Sequence, residues 1–143
     1  MTKLIHVDKN DETLMQEVMN IRKEVFVNEQ NCPEDEEWDD SEYNCEYYLV
    51  FDDNKAVGTL RWRINNEKIK IERVAVLKEY RGRDFGKQMV EFVLNDIMTM
   101  GLPIYLNSQE QVISFYENFG FEKYGERFYE ANIPHFAMKL LNK

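Results

Sequence analysis

The chain has 143 residues, a net charge of −9 from 18 basic and 27 acidic side chains, and 43% hydrophobic residues, with 9 Phe, 8 Tyr and 2 Trp. This is the size and apolar content of a single folded domain spanning residues 1–143, and it excludes a disordered chain. The acidic balance argues against nucleic-acid or anionic-membrane partners, no apolar run approaches the ~20 residues of a membrane-crossing helix, and the N-terminus has no signal-peptide core.

In chain order, Leu4–Val7 reads as a short strand. Asn10 or Asp11 can cap a helix whose apolar face is Leu14, Val18, Ile21 and Val25, at offsets of four, three and four. Residues 34–42, EDEEWDDSE, hold seven acids and read as a loop or a short polar helix. Together with Trp38 and Tyr43 the run either attracts a cationic amine or is a solvated loop. Tyr47–Phe51, Ala56–Ile64 and Lys68–Val76 read as three strands of an antiparallel meander, with turns at 52–54 and 65–66.

The third of these strands breaks its own alternation. Ile69 and Ile71 lie on one parity, Val74 and Val76 on the other, so the pattern slips at Glu72-Arg73. A one-residue slip is what a β-bulge produces; the alternative is a strand buried on both faces. A helix of about four turns follows, with a stripe of Phe85, Met89, Phe92, Val93, Ile97 and Met100 and a stop at Gly101. Pro103–Leu106 is a strand that can pair parallel to the earlier one across this helix. Gln111–Phe119 is a second short helix ended by Gly120, and Phe121–Tyr124 and Phe136–Leu141 close the chain as strands. The predicted fold is α/β in the α+β sense: a mixed, mostly antiparallel sheet with one parallel strand–helix–strand crossover and flanking helices. Cys32 and Cys45 lack metal-type spacing, as do His6 and His135, so no metal site is expected and the thiols are expected to be free.

The turn into the long helix carries the chemistry. Residues 68–87 hold seven basic side chains against three acidic ones, an island in an acidic chain. In Tyr80-Arg81-Gly82-Arg83-Asp84-Phe85-Gly86-Lys87 the glycines let successive N–H groups converge at a helix N-terminus, and Arg81, Arg83 and Lys87 add charge. The spacing fits neither a P-loop, since Gly82 and Gly86 are one residue too close and Gln88 follows the lysine, nor a Rossmann turn. The local pattern alone leaves open a basic helix start with no ligand.

Arg73-Val-Ala-Val followed by Tyr80-Arg-Gly-Arg-x-Phe-Gly resembles the acetyl-CoA motif of the GNAT (Gcn5-related N-acetyltransferase) superfamily: Gln or Arg, two residues, Gly, one residue, then Gly or Ala. Ser114-Phe-Tyr-Glu-Asn-Phe-Gly-Phe121 resembles the second signature of that family, and Glu24-Val-Phe-Val-Asn-Glu-Gln with Ile133-Pro-His135-Phe resembles its ElaA-like branch. The resemblance implies an acetyl-CoA-dependent acyltransferase acting on a primary amine of a small molecule or peptide by direct attack in a ternary complex. With no export signal the chain is expected to be cytoplasmic, and an exposed edge strand allows a monomer or a homodimer. Val74, Ala75 and Val76 would line the pantetheine arm, and the N–H groups from Arg81 to Gly86 (Gly82, Arg83, Asp84 and Phe85 between them) with Lys87 would hold the pyrophosphate. Asn107 and Gln109, at the end of the parallel strand, either bind cofactor or substrate amides or cap the next helix. Tyr116 would be the general acid, a phenol being reasonably matched to a thiolate leaving group. Glu72 would be the base, acting directly or through a water, unless it pairs with Arg73 or a lysine. His135 is the other candidate base, and with Glu29 and Gln30 it would serve the acceptor site. Asp84 departs from the motif, standing where its first glycine belongs; the expected accommodation is a carboxylate capping the helix and turned outward. A noncatalytic acyl-CoA-binding sensor on the same fold is the alternative reading.

Overall fold

The computed structural model describes residues 1–38 and 44–141, leaving aside the side chains of 35 and 36; the C-terminal half of the acidic run and Tyr43 lie outside it. Its element order is β1 (Thr2–Val7), α1 (Glu12–Arg22), a π-helical turn (Lys23–Glu29), α2 (Glu34–Glu37), β2 (Glu46–Asp52), β3 (Lys55–Asn65), β4 (Lys68–Val76), α3 (Phe85–Ile97), β5 (Ile104–Gln109), α4 (Ile113–Glu117), β6 (Phe121–Glu130) and β7 (Ile133–Leu140). The strands form one sheet in the order β1-β2-β3-β4-β5-β7-β6. Every pairing is antiparallel except β4 with β5, which α3 joins as a crossover.

Local chemistry accounts for most boundaries. Asp11 caps α1, its carboxylate accepting the Leu14 N–H at 3.1 Å. Gly101, at φ +72, ends the 3₁₀ turn that extends α3. Ala131 and Asn132, both at positive φ, make the two-residue turn between β6 and β7.

Alternation along the central strands divides the core in two. Tyr48 and Val50 of β2 face α3 with Leu60, Ile69, Ile71 and Met138, whereas Tyr47 and Leu49 face α1 with Val18, Ile21 and Val25. On α3 the buried residues are Phe85, Met89, Val90, Val93, Leu94 and Ile97, each contributing roughly 1.5–3 kcal/mol of burial. The expected stripe is corrected at its end: Met100 is 42% exposed, because the helix gives way to a 3₁₀ turn after Ile97, while Val90 and Leu94 are buried on a flank that the stripe omitted.

The slip in β4 is a bulge. Thr59 pairs with Ala75 and Arg61 with Glu72, so Arg73 and Val74 together face the single residue Leu60 of β3. Arg73 takes φ +55, in the left-handed region. As a result Val74 and Val76 pack on the same core as Ile69 and Ile71, and Ala75 turns to the α1 side.

The last hairpin is longer than expected. β6 runs on to Glu130 and β7 starts at Ile133, and the register jumps between Tyr124 and Phe128, leaving Gly125, Glu126 and Arg127 opposite Phe136 alone. The strand is almost wholly exposed there, so it carries no apolar alternation for a sequence reading to follow.

Candidate functional site

Parallel pairing of β4 and β5 covers only Ile69–Ile71 with Ile104–Leu106. Beyond it β4 stays with β3 and β5 stays with β7, so the two strands part. A cleft of about 620 Å³ opens in the fork, lined by Glu72–Val76 on one side and Leu106–Gln109 on the other. The Leu77 N–H donates to the Val57 carbonyl of β3 at 2.8 Å. Strand alternation then turns the N–H groups of Val76 and Val74 toward the open side, where β5 is no longer present to pair them. The Val76 carbonyl on that side accepts from Arg81 Nε at 2.9 Å.

At the top of the fork the chain turns into α3. Gly82 has φ +78 and Asp84 φ +67, and the Asp84 carbonyl accepts the first helical bond, from the Gln88 N–H at 3.0 Å. Among the described residues no backbone carbonyl takes the N–H groups of Phe85, Gly86 or Lys87, and no side chain caps them. These donors at the positive end of a 13-residue helix are chemically suited to an anion. Asp84 corrects one expectation: it occupies the cap position and is exposed, but its carboxylate makes no capping bond. Its left-handed backbone explains why a glycine suits the position.

The charges around the turn are largely committed. Arg81 donates to both carboxylate oxygens of Glu29 at 2.6 Å, and its hydrogen bond holds the Glu29 carboxyl below the usual range. Each thus has the other as its partner, where the sequence reading has Arg81 adding charge at the turn and Glu29 serving the acceptor site. Arg83 donates to Asp52 at 3.0 Å and lies over the rings of Tyr80 and Phe85. Phe85 is itself a core side chain, so only its backbone faces the anion site. A Cβ on Gly86 would meet Phe115 at 3.5 Å and Val76 at 3.6 Å, ordinary contact, which is why alanine fits the motif there as well.

Lower in the cleft stands Tyr116, on α4, 7% exposed and edge-on to Phe115 and Phe121. Burial pushes its phenol well above the usual value, and no described residue hydrogen-bonds the hydroxyl. It therefore carries its proton at neutral pH with the donor unused.

Glu72 is a different case. Arg61, Arg63 and Lys70 each lie 3.0 Å from its carboxylate, which is 8% exposed. Burial alone would raise the carboxyl; the hydrogen bond from Arg63 and the charges of Arg61 and Lys70 more than reverse it, to about 2. So weak a base takes up a proton from an ammonium group poorly, which stands against the direct-base role expected from its place on the bulged strand. Its ion partners are Lys70 and two arginines of β3 rather than Arg73. Arg73 instead reaches Glu37 at 3.1 Å, and Glu37, 2% exposed, is also held by Arg22 at 2.7 Å; burial pushes the Glu37 carboxyl up despite both arginines.

The remaining expected residues converge on the cleft. Gln109 Nε2 donates to Gln30 Oε1 at 2.9 Å and Gln111 Nε2 donates to Gln109 Oε1 at 3.1 Å, an amide chain joining the π-helical turn to the end of β5. Asn107 and His135 line the same space. Gly82 to Lys87 border it at the helix end rather than lining it. Sequence reasoning missed Glu37, Phe26, Tyr129 and Ile133, all of which line the cleft. Arg22 was the available signal for Glu37: it lies four residues after Val18 on the buried stripe of α1, where a charge requires a partner.

Residues 9–142 match the family described as acetyltransferase (GNAT) domain. The chain is 37% identical over 134 residues to an uncharacterized N-acetyltransferase, YjcF, of Bacillus subtilis, covering 92% of this chain and 95% of that one. It is 32% identical to protein ElaA of Escherichia coli over 85% of this chain and 83% of that one. The crystal structure of ElaA superposes with a TM-score of 0.83 and 26% identity over 99% of each chain. An acyl-CoA N-acyltransferase from Pseudomonas aeruginosa superposes with a TM-score of 0.85 and 25% identity, again over 99% of each.

The Glu72 cluster sets a pH dependence. A carboxyl lowered from 4.5 to about 2 on folding contributes stability that is present above pH 4.5 and lost as the pH falls toward 2, on the order of 3 kcal/mol. Urea unfolding at pH 7 and pH 3 should show Glu72→Gln less stable at pH 7 and with a shallower acid loss than wild type; equal acid losses would contradict the cluster. Asp84→Gly relieves a left-handed aspartate and should leave melting temperature unchanged or higher, with the acetyl-CoA dissociation constant within about tenfold. Tightening by several orders of magnitude would show that Asp84 opposes the ligand.

Proposed function

The chain belongs to the GNAT acetyltransferase family, in its ElaA-like branch, and from that premise we propose that it moves an acetyl group from acetyl-CoA to a primary amine of a small molecule or peptide, by direct attack in a ternary complex. The observation that carries the reading is the fork between β4 and β5, with the N–H groups of Val74 and Val76 turned to its open side, an open helix N-terminus above and a protonated phenol, without a hydrogen-bond partner among the described residues, below. Acetyl-CoA supplies an acetyl carbon already activated as a thioester.

Each part of the cleft fits one part of that co-substrate. The N–H groups of Val74 and Val76 suit the amide carbonyls of a pantetheine arm, in the manner of a missing strand. The N–H groups of Phe85, Gly86 and Lys87 suit the pyrophosphate, with Lys87 adding a charge that has no partner among the described residues. Asn107, across the fork, suits a polar group of the arm or the acceptor. Gln30 and the glutamine chain stand at the acceptor side. Tyr116 donates its proton to the departing sulfur, a role that burial supports by keeping the phenol neutral until a thiolate develops. We place the protein in the cytoplasm, as a monomer or homodimer. The engaged state of Glu72 favours one second reading, a noncatalytic acyl-CoA-binding sensor.

The test is thiol release from acetyl-CoA across a panel of amino acids, polyamines, aminosugars and short peptides. Turnover with at least one amine is expected; an acetyl-CoA-dependent rise in melting temperature without any thiol release would favour the sensor. Tyr116→Phe should lower kcat about a hundredfold and leave the acetyl-CoA shift in place. Unchanged kcat would remove Tyr116 from the chemistry.

A further inference from the structure

Resting on the transferase reading above, we infer that the group accepting the proton of the acceptor ammonium is Nε2 of His135, on β7. His135 Nδ1 lies 2.7 Å from the Ile133 carbonyl oxygen. A carbonyl only accepts, so Nδ1 carries the hydrogen and Nε2 is left with its lone pair. The ring is held a second way, stacked on Phe128 at 5.9 Å between centroids and 26° between planes. His135 lines the cleft, and no described residue occupies its Nε2.

The backbone explains how an exposed hairpin delivers it there. Gly125, Glu126 and Arg127 of β6 oppose only Phe136, and the strand resumes pairing with Phe128 opposite His135. Excess residues on one strand bend and twist it. Here the bend falls one residue from His135, on the segment whose far end, Tyr129 to Ile133, forms a wall of the cleft. On its other side His135 is in register with Gln109, the middle of the glutamine chain at the acceptor side. The ring thus stands beside the place proposed for the amine, whereas Glu72 is enclosed by three cations.

The other titratable or charged groups lining the cleft are Tyr129 and Glu130 on β6, Tyr116 on α4, Lys70, Glu72 and Arg73 on β4, Glu37 on α2, and Cys32 and Arg81. Nearby, Arg127 of β6 and Glu110 of the turn after β5 pair with each other. Glu130 is the carboxylate among them without an ion pair in the described residues, and it stands on the hairpin beyond His135.

His135 Nε2 takes one proton from the ammonium and passes it to solvent. The neutral nitrogen forms the N–C bond as the C–S bond breaks. Tyr116 gives the sulfur its phenolic proton and regains the proton that the new amide nitrogen sheds. One proton is released per turnover.

The test is the pH profile of kcat/KM for the best amine of the panel, with wild type, His135→Gln, His135→Ala and Glu72→Gln. Wild type should show a rising limb separate from, and below, that of the amine itself. His135→Gln should lose that limb and fall about 10²- to 10³-fold at pH 7.5, with the acetyl-CoA melting shift retained. Added imidazole should restore part of the rate to His135→Ala, and Glu72→Gln should keep the limb. A His135→Gln enzyme with wild-type rate and limb overturns the assignment while leaving the transferase reading intact. Absence of thiol release by wild type with every amine sinks both.

Discussion

Arg73 is held in the left-handed region inside a β-strand, a conformation costing a non-glycine residue about 1–2 kcal/mol, and the cleft depends on it. The bulge that it creates carries β4 away from β5 after three paired residues. Without it, parallel pairing would continue up the strands and consume the N–H groups of Val74 and Val76. The same residue brings its guanidinium to Glu37, at the carboxylate and at the carbonyl oxygen, which helps offset the backbone cost. The bulge is thereby tied to α2 and, through Arg22, to α1.

A second consequence concerns charge. The acidic chain concentrates cations along the fork and assigns most of them carboxylates: Glu72 to Arg61, Arg63 and Lys70, Glu37 to Arg22 and Arg73, Glu29 to Arg81. Removing one member of the buried Glu72 or Glu37 sets is costly, because the partner is left charged and dry, whereas the Glu29–Arg81 pair at the turn is partly exposed. The side chains at the turn are therefore scaffold more than ligand, and the anion site consists mainly of backbone N–H groups, aimed by the start of α3. Backbone donors cannot be neutralised by a neighbour, so the proposed site is expected to tolerate an aspartate at the position where glycine is usual.

The α/β plan, the crossover and the bulge were all legible in the sequence, each for a local reason. The parity slip between Ile71 and Val74 is a side-chain record of a backbone event. The glycine spacing of 82 and 86 records where the chain must turn. What escaped the sequence was set by distance. Nothing local distinguishes Glu37 within a run of seven acids, yet it alone among the described acids meets both Arg22 and Arg73. Asp84 could be placed at a helix start, but whether its carboxylate would cap depended on a φ that the sequence does not print. Glu72 looked equally suited to catalysis or pairing until β3 brought Arg61 and Arg63 alongside. The end of β6 went unread because solvent faces nearly all of it.

The central claim is that the fork between β4 and β5, completed by the N-terminus of α3, is where acetyl-CoA lies. Amide hydrogen exchange with and without acetyl-CoA tests it most directly, because backbone N–H groups are the proposed ligands. Exchange should slow at Val74 and Val76 and at Phe85 to Lys87 on addition of acetyl-CoA. Saturating acetyl-CoA that protects another part of the chain and leaves these amides unchanged would contradict it.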